Sequence, residues 1–146
     1  MNDTVYYLLR FLHVAATATW IGAALWVPGD VRRTLARGAP HTDLLASRVD
    51  GALKLDLWAG VASILTGIVL MLALGGHPGT RIMVGMALAL VLLGLVAFGI
   101  FPAWRRIKAT LAQGGDPGAV KRLAAFNGIA HTLWLLALAT MVFDNW

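Results

Sequence analysis

Residues 11–28 read FLHVAATATWIGAALWVP, and this stretch decides the fold. It is apolar enough to cross the hydrocarbon core of a bilayer as a helix, which takes about 20 residues. It also carries one imidazole, that of His13, well inside the apolar run. Because an ionisable side chain at that depth is costly, it is a candidate functional residue by default. The stretch therefore predicts a membrane helix that carries part of a site.

The composition of the whole chain favours a membrane over water as its solvent. Of 146 residues, 59% are hydrophobic and only 13% are charged, whereas about a quarter are charged in a typical soluble domain. The formal net charge is +5, but the basic residues stand in short blocks between apolar runs, as in membrane loops. We therefore expect a lipid bilayer as partner and no nucleic acid. The absence of cysteine excludes disulfides and thiolate-ligated clusters.

Four apolar runs are each long enough to span a bilayer. They cover about residues 5–28, 53–74, 82–102 and 123–143. Each span must satisfy its own backbone hydrogen bonds in lipid, so each is predicted to be helical. Four spans with short connections pack best as an up-and-down bundle. The expected fold is therefore one all-α domain, an integral membrane up-and-down four-transmembrane-helix bundle.

The turn residues predict where the helices end. Pro28 is expected to close the first helix, and Pro102 is expected to close or kink the third. Residues 43–54 are predicted to form a short, separate interfacial helix before the second span. These predictions place a long loop between the first two spans.

The basic residues predict the orientation of the bundle. Ten of the twelve lie in the first and third loops, and only Arg10 and Arg81 lie toward the other side. By the positive-inside rule, the two basic loops face the cytoplasm. We expect a bacterial inner-membrane protein with both termini on the outer, periplasmic side.

Small residues such as Gly60 and Gly67 suit close packing within the bundle or across a homodimer surface.

Two of the four histidines are predicted to lie at similar depths. His13 is about eight residues from the outer end of the first span, and His131 is about eight residues from the inner end of the fourth. At ~1.5 Å per residue, their levels differ by only ~6 Å in a core of about 30 Å. First and last helices of a bundle are usually neighbours, so the pair could bind haem iron or another metal. His77, in a Gly/Pro turn on the outer side, is the alternative partner for His13.

Other residues near this pair suit a haem site. Trp20 lies two helical turns beyond the first of these histidines, and Asn127 lies one turn before the second. Asn127 shares a helix face with that histidine and could bond a propionate or orient a ligand. Arg10 and Arg81, near the outer surface, are expected to pair with haem propionates. The alternative for each histidine is a structural hydrogen bond across helices.

The first span also resembles that of a known family. His13, then Trp20 seven residues on, then Pro28 eight further is similar to the first span of the HemJ-type protoporphyrinogen oxidases. These are small four-span membrane haem proteins, and the first spans of CopD-type copper-resistance domains are also similar. Arg48 ahead of the second span and KRLAAFN at residues 121–127 likewise resemble the HemJ pattern. The resemblance implies haem b in the bundle with His13 as a ligand, and protoporphyrinogen oxidation with electrons passed to the respiratory chain.

The chain differs from the HemJ pattern in its third and fourth spans. It has Arg81 where the family has a lysine, and it reads NGIAH at residues 127–131, where the family has an acid after the asparagine. Two histidines without those groups favour a membrane haem b protein that transfers electrons, with a quinone or another respiratory redox partner. The alternatives are a divergent HemJ-like protoporphyrinogen oxidase, a CopD-like copper-handling domain, and a structural protein without cofactor. Copper would use the histidines and some of four scattered methionines: Met71, Met83, Met86 and Met141.

Overall fold

The computed structural model describes residues 2–38, 41–73 and 79–142. Over these residues the chain forms α-helices and no strand. The helices are α1 (Asp3–Ala24), α2 (Val27–Arg37), α3 (Leu45–Ala73), α4 (Thr80–Leu95), α5 (Phe101–Ala109) and α6 (Pro117–Val142). A π-helical turn, Val96–Ile100, joins α4 to α5, and a 3₁₀ turn, Leu111–Gln113, follows α5. The prediction of an all-α chain is confirmed.

Four helical segments are long and apolar enough to cross a membrane, as the sequence predicts. They are Asp3–Arg37, Leu45–Ala73, Thr80–Ala109 and Pro117–Val142. α1 packs along α3, and α4 packs along α6, so the four long helices form two antiparallel pairs. The two pairs contact each other less closely than the helices within each pair do. This arrangement leaves room between the pairs.

Two prolines begin helices instead of ending them. Pro28, predicted to close the first helix, lies in the first turn of α2. Pro102 lies in the first turn of α5, and the third segment continues to Ala109, so Pro102 does not close this helix. The irregularity in the helix is the π-helical turn directly before it. Proline suits a first turn because the N–H groups there have no partner within the helix. The separate interfacial helix predicted at residues 43–54 is also wrong, because α3 runs through it without a break.

The tightly packed core lies at one end of the bundle, which we call the basic end because α2, α5 and most basic residues are there. The fully buried large side chains belong to α2, α3, the π-helical turn, α5 and α6: Val27, Val31, Leu45, Val49, Leu53, Val96, Ile100, Trp104, Ile107 and Leu123. At this end the carboxylate of Asp50 accepts hydrogen bonds from Nε1 of Trp104 at 2.6 Å and Nζ of Lys108 at 2.8 Å. These bonds connect α3 to α5. We call the opposite end, where the described chain begins and ends, the terminal end.

The outer surface of the long helices is apolar. Phe98 is 86% exposed, and it is one of many large hydrophobic side chains that point away from the core. Others are Tyr7, Phe11, Trp58, Leu65, Leu72, Leu90 and Leu135. A soluble monomer rarely exposes so large an apolar area. The surface suits lipid, where each helix satisfies its own backbone hydrogen bonds.

α1 packs closely on α3 at Trp20. This buried indole packs against Gly60, where an added Cβ would lie only 2.7 Å from Cε2 of the ring. Only glycine therefore leaves room for the indole at this crossing. The contact positions Trp20 near the middle of the bundle, between the basic-end core and the space toward the terminal end.

Candidate functional site

Two adjoining cavities lie between the long helices on the terminal side of Trp20. The first, which we call the main cavity, has a volume of about 280 Å³ and is lined by α1, α3, α4 and α6. The second, the end cavity, has a volume of about 480 Å³. Four residues line both: His13, Val14, Met86 and Met141. Small-molecule sites usually measure about 300–1,000 Å³, so the two cavities together have the size of a ligand site.

The half-buried ring of His13 lines both cavities and has a defined tautomer. Its Nδ1 lies 3.0 Å from the carbonyl oxygen of Ser63 and 3.0 Å from Oγ1 of Thr66. A carbonyl oxygen can only accept, so Nδ1 carries the proton and donates it. Thr66 itself donates to the carbonyl of Ala62 at 2.7 Å, which leaves its oxygen free to accept from the imidazole. In the neutral imidazole, Nε2 is then the unprotonated nitrogen, as it is in histidines that bind a metal through Nε2.

A second set of hydrogen bonds supports this wall of the main cavity. The hydroxyl of Thr17 donates to the carbonyl of His13 at 2.7 Å, and its Oγ1 lies 2.7 Å from Oγ of Ser63. Because Thr17 uses its own proton on the carbonyl, Ser63 is the donor in the hydroxyl pair. Both hydroxyl residues line the main cavity. The α1–α3 wall therefore carries a small polar group within an apolar lining, and two residues of α3 hold the imidazole.

His131 has the same tautomer but lines a different cavity. Its Nδ1 donates to the carbonyl of Asn127 at 2.6 Å, so in the neutral ring Nε2 is the acceptor nitrogen. The cavity it lines, which we call the small cavity, has a volume of about 20 Å³ and lies between Trp20 and the basic-end core. Asp56 and Asn127 line the small cavity as well.

The structure does not bring His13 and His131 to one cavity. Three side chains line both the main and the small cavity and form a partition between them: Trp20, Leu92 and Trp134. Met141, which lines both cavities that contain His13, lies ten residues beyond His131, or about 15 Å of helix at 1.5 Å per residue. The depth estimate treated the first and last long helices as close neighbours, whereas α1 packs mainly on α3. One iron bound by both imidazoles would require the partition to move.

The other predicted site residues are spread around these cavities. Trp20 is part of the partition, and Arg10 lines the end cavity. Arg81 lies in the first turn of α4, at the terminal end. Asn127 lines the small cavity with its side chain almost completely buried. His77, the alternative partner of His13, lies outside the described residues.

The structure brings together methionines that are far apart in the sequence. Met71, Met86 and Met141 come from α3, α4 and α6, and all three line the end cavity with His13. Met83, in contrast, is 53% exposed. All three are among the four methionines named from the sequence as possible copper ligands, but no sequence spacing predicts that residues on three helices share one cavity. Ser63 and Thr66, which bond the ring of His13, are only weakly indicated by the sequence. They are small polar residues within an apolar span.

No family model, curated protein or solved structure matches this chain. The site is therefore interpreted from its own chemistry. The lining of the main and end cavities offers one imidazole nitrogen, Nε2, that accepts in the neutral ring, three thioether sulfurs and, in the end cavity, the guanidinium of Arg10. Such a set suits a largely apolar group that contains a metal and carries acidic substituents, or a soft metal ion.

Proposed function

We propose that this chain is an integral membrane protein that binds haem b in the main and end cavities and transfers electrons. The observation that carries the proposal is the state of His13, whose Nδ1 donates to the Ser63 carbonyl and whose Nε2 is left as a base. Haem iron is commonly held by an axial imidazole. In such sites the other ring nitrogen usually donates a hydrogen bond, as Nδ1 of His13 does here, and this bond fixes the orientation of the ring. Haem bound here would supply one-electron redox chemistry.

The lining of the cavities fits a porphyrin. The α4 and α6 walls of the main cavity are apolar or aromatic, and Trp134 and Leu138 are among them. Such walls exclude water and suit the flat face of the macrocycle. Arg10 lines the end cavity and is the residue placed to pair with a propionate. His13 would hold the iron, and Ser63 would keep its ring oriented.

The second axial ligand has candidates in two places. His131 is the ligand predicted from the sequence, and it reaches the iron only if the partition opens. Met86 and Met141 share both larger cavities with His13, and each carries a sulfur that can bind haem iron. Ligation by histidine and methionine raises the reduction potential of a haem, as in cytochromes c. The two arrangements therefore differ in spectrum and in potential.

Absorption spectroscopy tests the haem proposal. Protein expressed with an ample haem supply and purified in detergent should show a Soret band, and sharp α bands on reduction. His13→Ala should abolish or strongly shift this spectrum. His41→Ala is the matched control, since His41 is an exposed loop residue. Colourless wild-type protein, or an unchanged spectrum in His13→Ala, would overturn the proposal.

The same spectra identify the second ligand. Loss of the low-spin spectrum in His131→Ala, with no effect of Met86→Leu or Met141→Leu, supports the histidine pair. Loss of the low-spin spectrum in Met86→Leu or Met141→Leu, with no effect of His131→Ala, identifies a methionine sulfur as the second ligand. An unchanged spectrum in all three variants excludes these residues as ligands.

Copper handling is a second candidate function, and one observation favours it. Met71, Met86 and Met141 line the end cavity together with His13. Thioether and imidazole ligands suit Cu(I). Colourless protein that binds Cu(I) in proportion to its concentration, and loses it in Met86→Leu and Met141→Leu, would support this function over haem binding. Met83→Leu is the matched control, because Met83 is exposed.

The proposed membrane orientation follows from charge. Four segments are long and apolar enough to span, and the basic end would face the cytoplasm by the positive-inside rule. Both termini would then face the periplasm of a bacterial inner membrane, with a quinone or another respiratory component as redox partner. Alkaline phosphatase fused to the C-terminus should be active and a fluorescent protein fused there dark. The opposite result would reverse the orientation.

A further inference from the structure

The small cavity contains buried oxygen atoms without partners. Asp56 and Asn127 are only 5% and 2% exposed. Within the part of the chain that the structure describes, Oδ2 of Asp56 and Oδ1 of Asn127 have no hydrogen-bond partner. Buried polar atoms in native proteins nearly always have one, either in the protein or in an ordered water. Both atoms belong to residues that line the same cavity, so one occupant could satisfy both.

What these two oxygen atoms lack is a hydrogen-bond donor. A carboxylate oxygen and an amide carbonyl oxygen both accept. The orientation of the Asn127 amide follows from its nitrogen atom. Because Nδ2 donates to the carbonyl of Leu123 at 3.3 Å, the atom without a partner is the oxygen Oδ1. His131, which lines the cavity too, already uses its Nδ1 proton on the Asn127 carbonyl, so its remaining ring nitrogen also accepts. The indoles of Trp20 and Trp134 also line the cavity and each carries an N–H, but neither donates to these two oxygens, which have no partner. The other side chains that line the cavity are apolar.

Size and charge favour water as the occupant. The cavity has a volume of about 20 Å³, and roughly 10–15 Å³ suffices for one water molecule. It is too small for an organic ligand. Divalent cations such as Ca²⁺ and Mg²⁺ take about six or more ligands, mostly oxygens, whereas Asp56 and Asn127 offer one carboxylate and one amide. Among the described residues, no three His, Cys, Asp or Glu side chains are grouped to hold a metal ion.

We propose that one water molecule is bound in the small cavity and donates its two hydrogens to Oδ2 of Asp56 and Oδ1 of Asn127. Asp56 is on α3 and Asn127 is on α6, so the water is a polar link between the two helix pairs. The π-helical turn contributes Val96 and Ile100 to the same cavity. Such turns often accompany functional sites, where they displace side chains from regular helical positions. This site does not depend on a bound cofactor.

Infrared difference spectroscopy with water labelled with heavy oxygen tests the proposal. The wild-type protein should show an O–H stretching band that shifts with the label. The band should be absent from Asp56→Leu and from Asn127→Leu, which resemble the native side chains in shape. Thr132→Val is the matched control, since Thr132 is exposed on α6 and donates to the carbonyl of Gly128, outside the small cavity. This variant should keep the band.

Two spectroscopic results would overturn the proposal. If a carboxylic acid C=O band disappears in Asp56→Leu and no labelled-water band changes, then Asp56 itself donates to Asn127. If elemental analysis finds one metal ion per chain in the wild type and none in Asp56→Leu, then a metal fills the cavity.

A stability comparison covers the case in which a single variant folds poorly. Each single variant leaves one buried oxygen unpaired and removes the water, whereas Asp56→Leu/Asn127→Leu removes both oxygens. Replacing both partners by apolar groups of similar shape is less damaging than removing one. The double variant should therefore unfold at a higher temperature than either single variant, and it should fold if a single variant does not. A double variant less stable than both single variants would show that the two residues share no occupant.

Discussion

Replacing Gly67 by alanine should change the environment of His13 without lowering stability much. Gly67 is on α3, beside the imidazole. An added Cβ would lie 3.2 Å from Cε1 and 3.6 Å from Nδ1 of His13, and 3.5 Å from Cε of Met86. The first distance is shorter than ordinary contact, so the ring must move by a few tenths of an ångström. Its 3.0 Å hydrogen bond to the carbonyl of Ser63 then weakens or lengthens.

Two opposing contributions set the expected free energy of unfolding. Weakening one hydrogen bond costs about 0.5–1.5 kcal/mol. Alanine in place of glycine within a helix gains roughly 0.5–1 kcal/mol. The net change for Gly67→Ala should therefore be close to zero. Gly94→Ala in α4 is the matched control. An added Cβ there meets no atom within 4 Å, so this variant should show the full stabilisation of alanine over glycine.

Thermal unfolding in detergent, followed by circular dichroism, measures this difference. Gly94→Ala should unfold a few degrees above the wild type, and Gly67→Ala should lie near the wild type. If haem is bound, the Soret band should shift in Gly67→Ala only. Equal stabilisation of both variants with unchanged spectra would refute the reasoning, because it would mean that Gly67 is not in contact with His13.

Three further perturbations address the packing, the polar links and the membrane surface. Gly60→Ala should destabilise the protein by about 1–3 kcal/mol, because the new methyl group overlaps the indole of Trp20, and an unchanged melting temperature would contradict this packing. Asp50→Asn keeps an acceptor for Nε1 of Trp104 and should cost less than about 1 kcal/mol, since it loses only a partly exposed ion pair. Asp50→Leu leaves that indole nitrogen unpaired and should cost about 1–3 kcal/mol; equal melting temperatures for the two variants would rule out the indole bond. Phe98→Lys should reduce membrane insertion by about 3 kcal/mol in an integration assay, and normal insertion would place Phe98 outside the hydrocarbon core.

The four long helices could be predicted because long apolar runs have few other stable structures in lipid. The helix boundaries at Pro28 and Pro102 could not. A proline can follow the last turn of one helix or occupy the first turn of the next, and the local sequence fits both. In this chain both prolines begin a helix, and α2 and α5 extend the first and third segments at the basic end. These extensions, rather than loops, cover the core there.

The candidate site could be predicted only in part. His13 was recognisable because an imidazole inside an apolar run is rare. The position of His13 relative to His131 could not be predicted. Counting residues gives the depth of each side chain, but it gives neither the rotation of each helix nor which helices pack together. Asp56 is visible in the sequence as an acid near the end of a span. Its unpaired state depends on which side chain of α6 lies opposite, here Asn127, and that is a property of the packed bundle.

The π-helical turn at Val96–Ile100 determines how α5 is rotated relative to α4. A π-helical turn holds one residue more than an α-helical turn, and one residue corresponds to about 100° of rotation. Everything after the turn is therefore rotated relative to a continuous α-helix, and in this register Trp104 and Ile107 face the core. If the same residues formed regular α-helix throughout, both side chains would be rotated by about 100°, away from the core. Deletion of the exposed Phe98 removes the extra residue instead, so the segment should become regular α-helix and keep both side chains on the core face. The indole of Trp104 should therefore keep its bond to Asp50 when Phe98 is deleted, and lose it when a residue is deleted from the regular helix between the turn and Trp104. The π-helical turn thus sets the alignment between the first half of the third segment and the basic-end core.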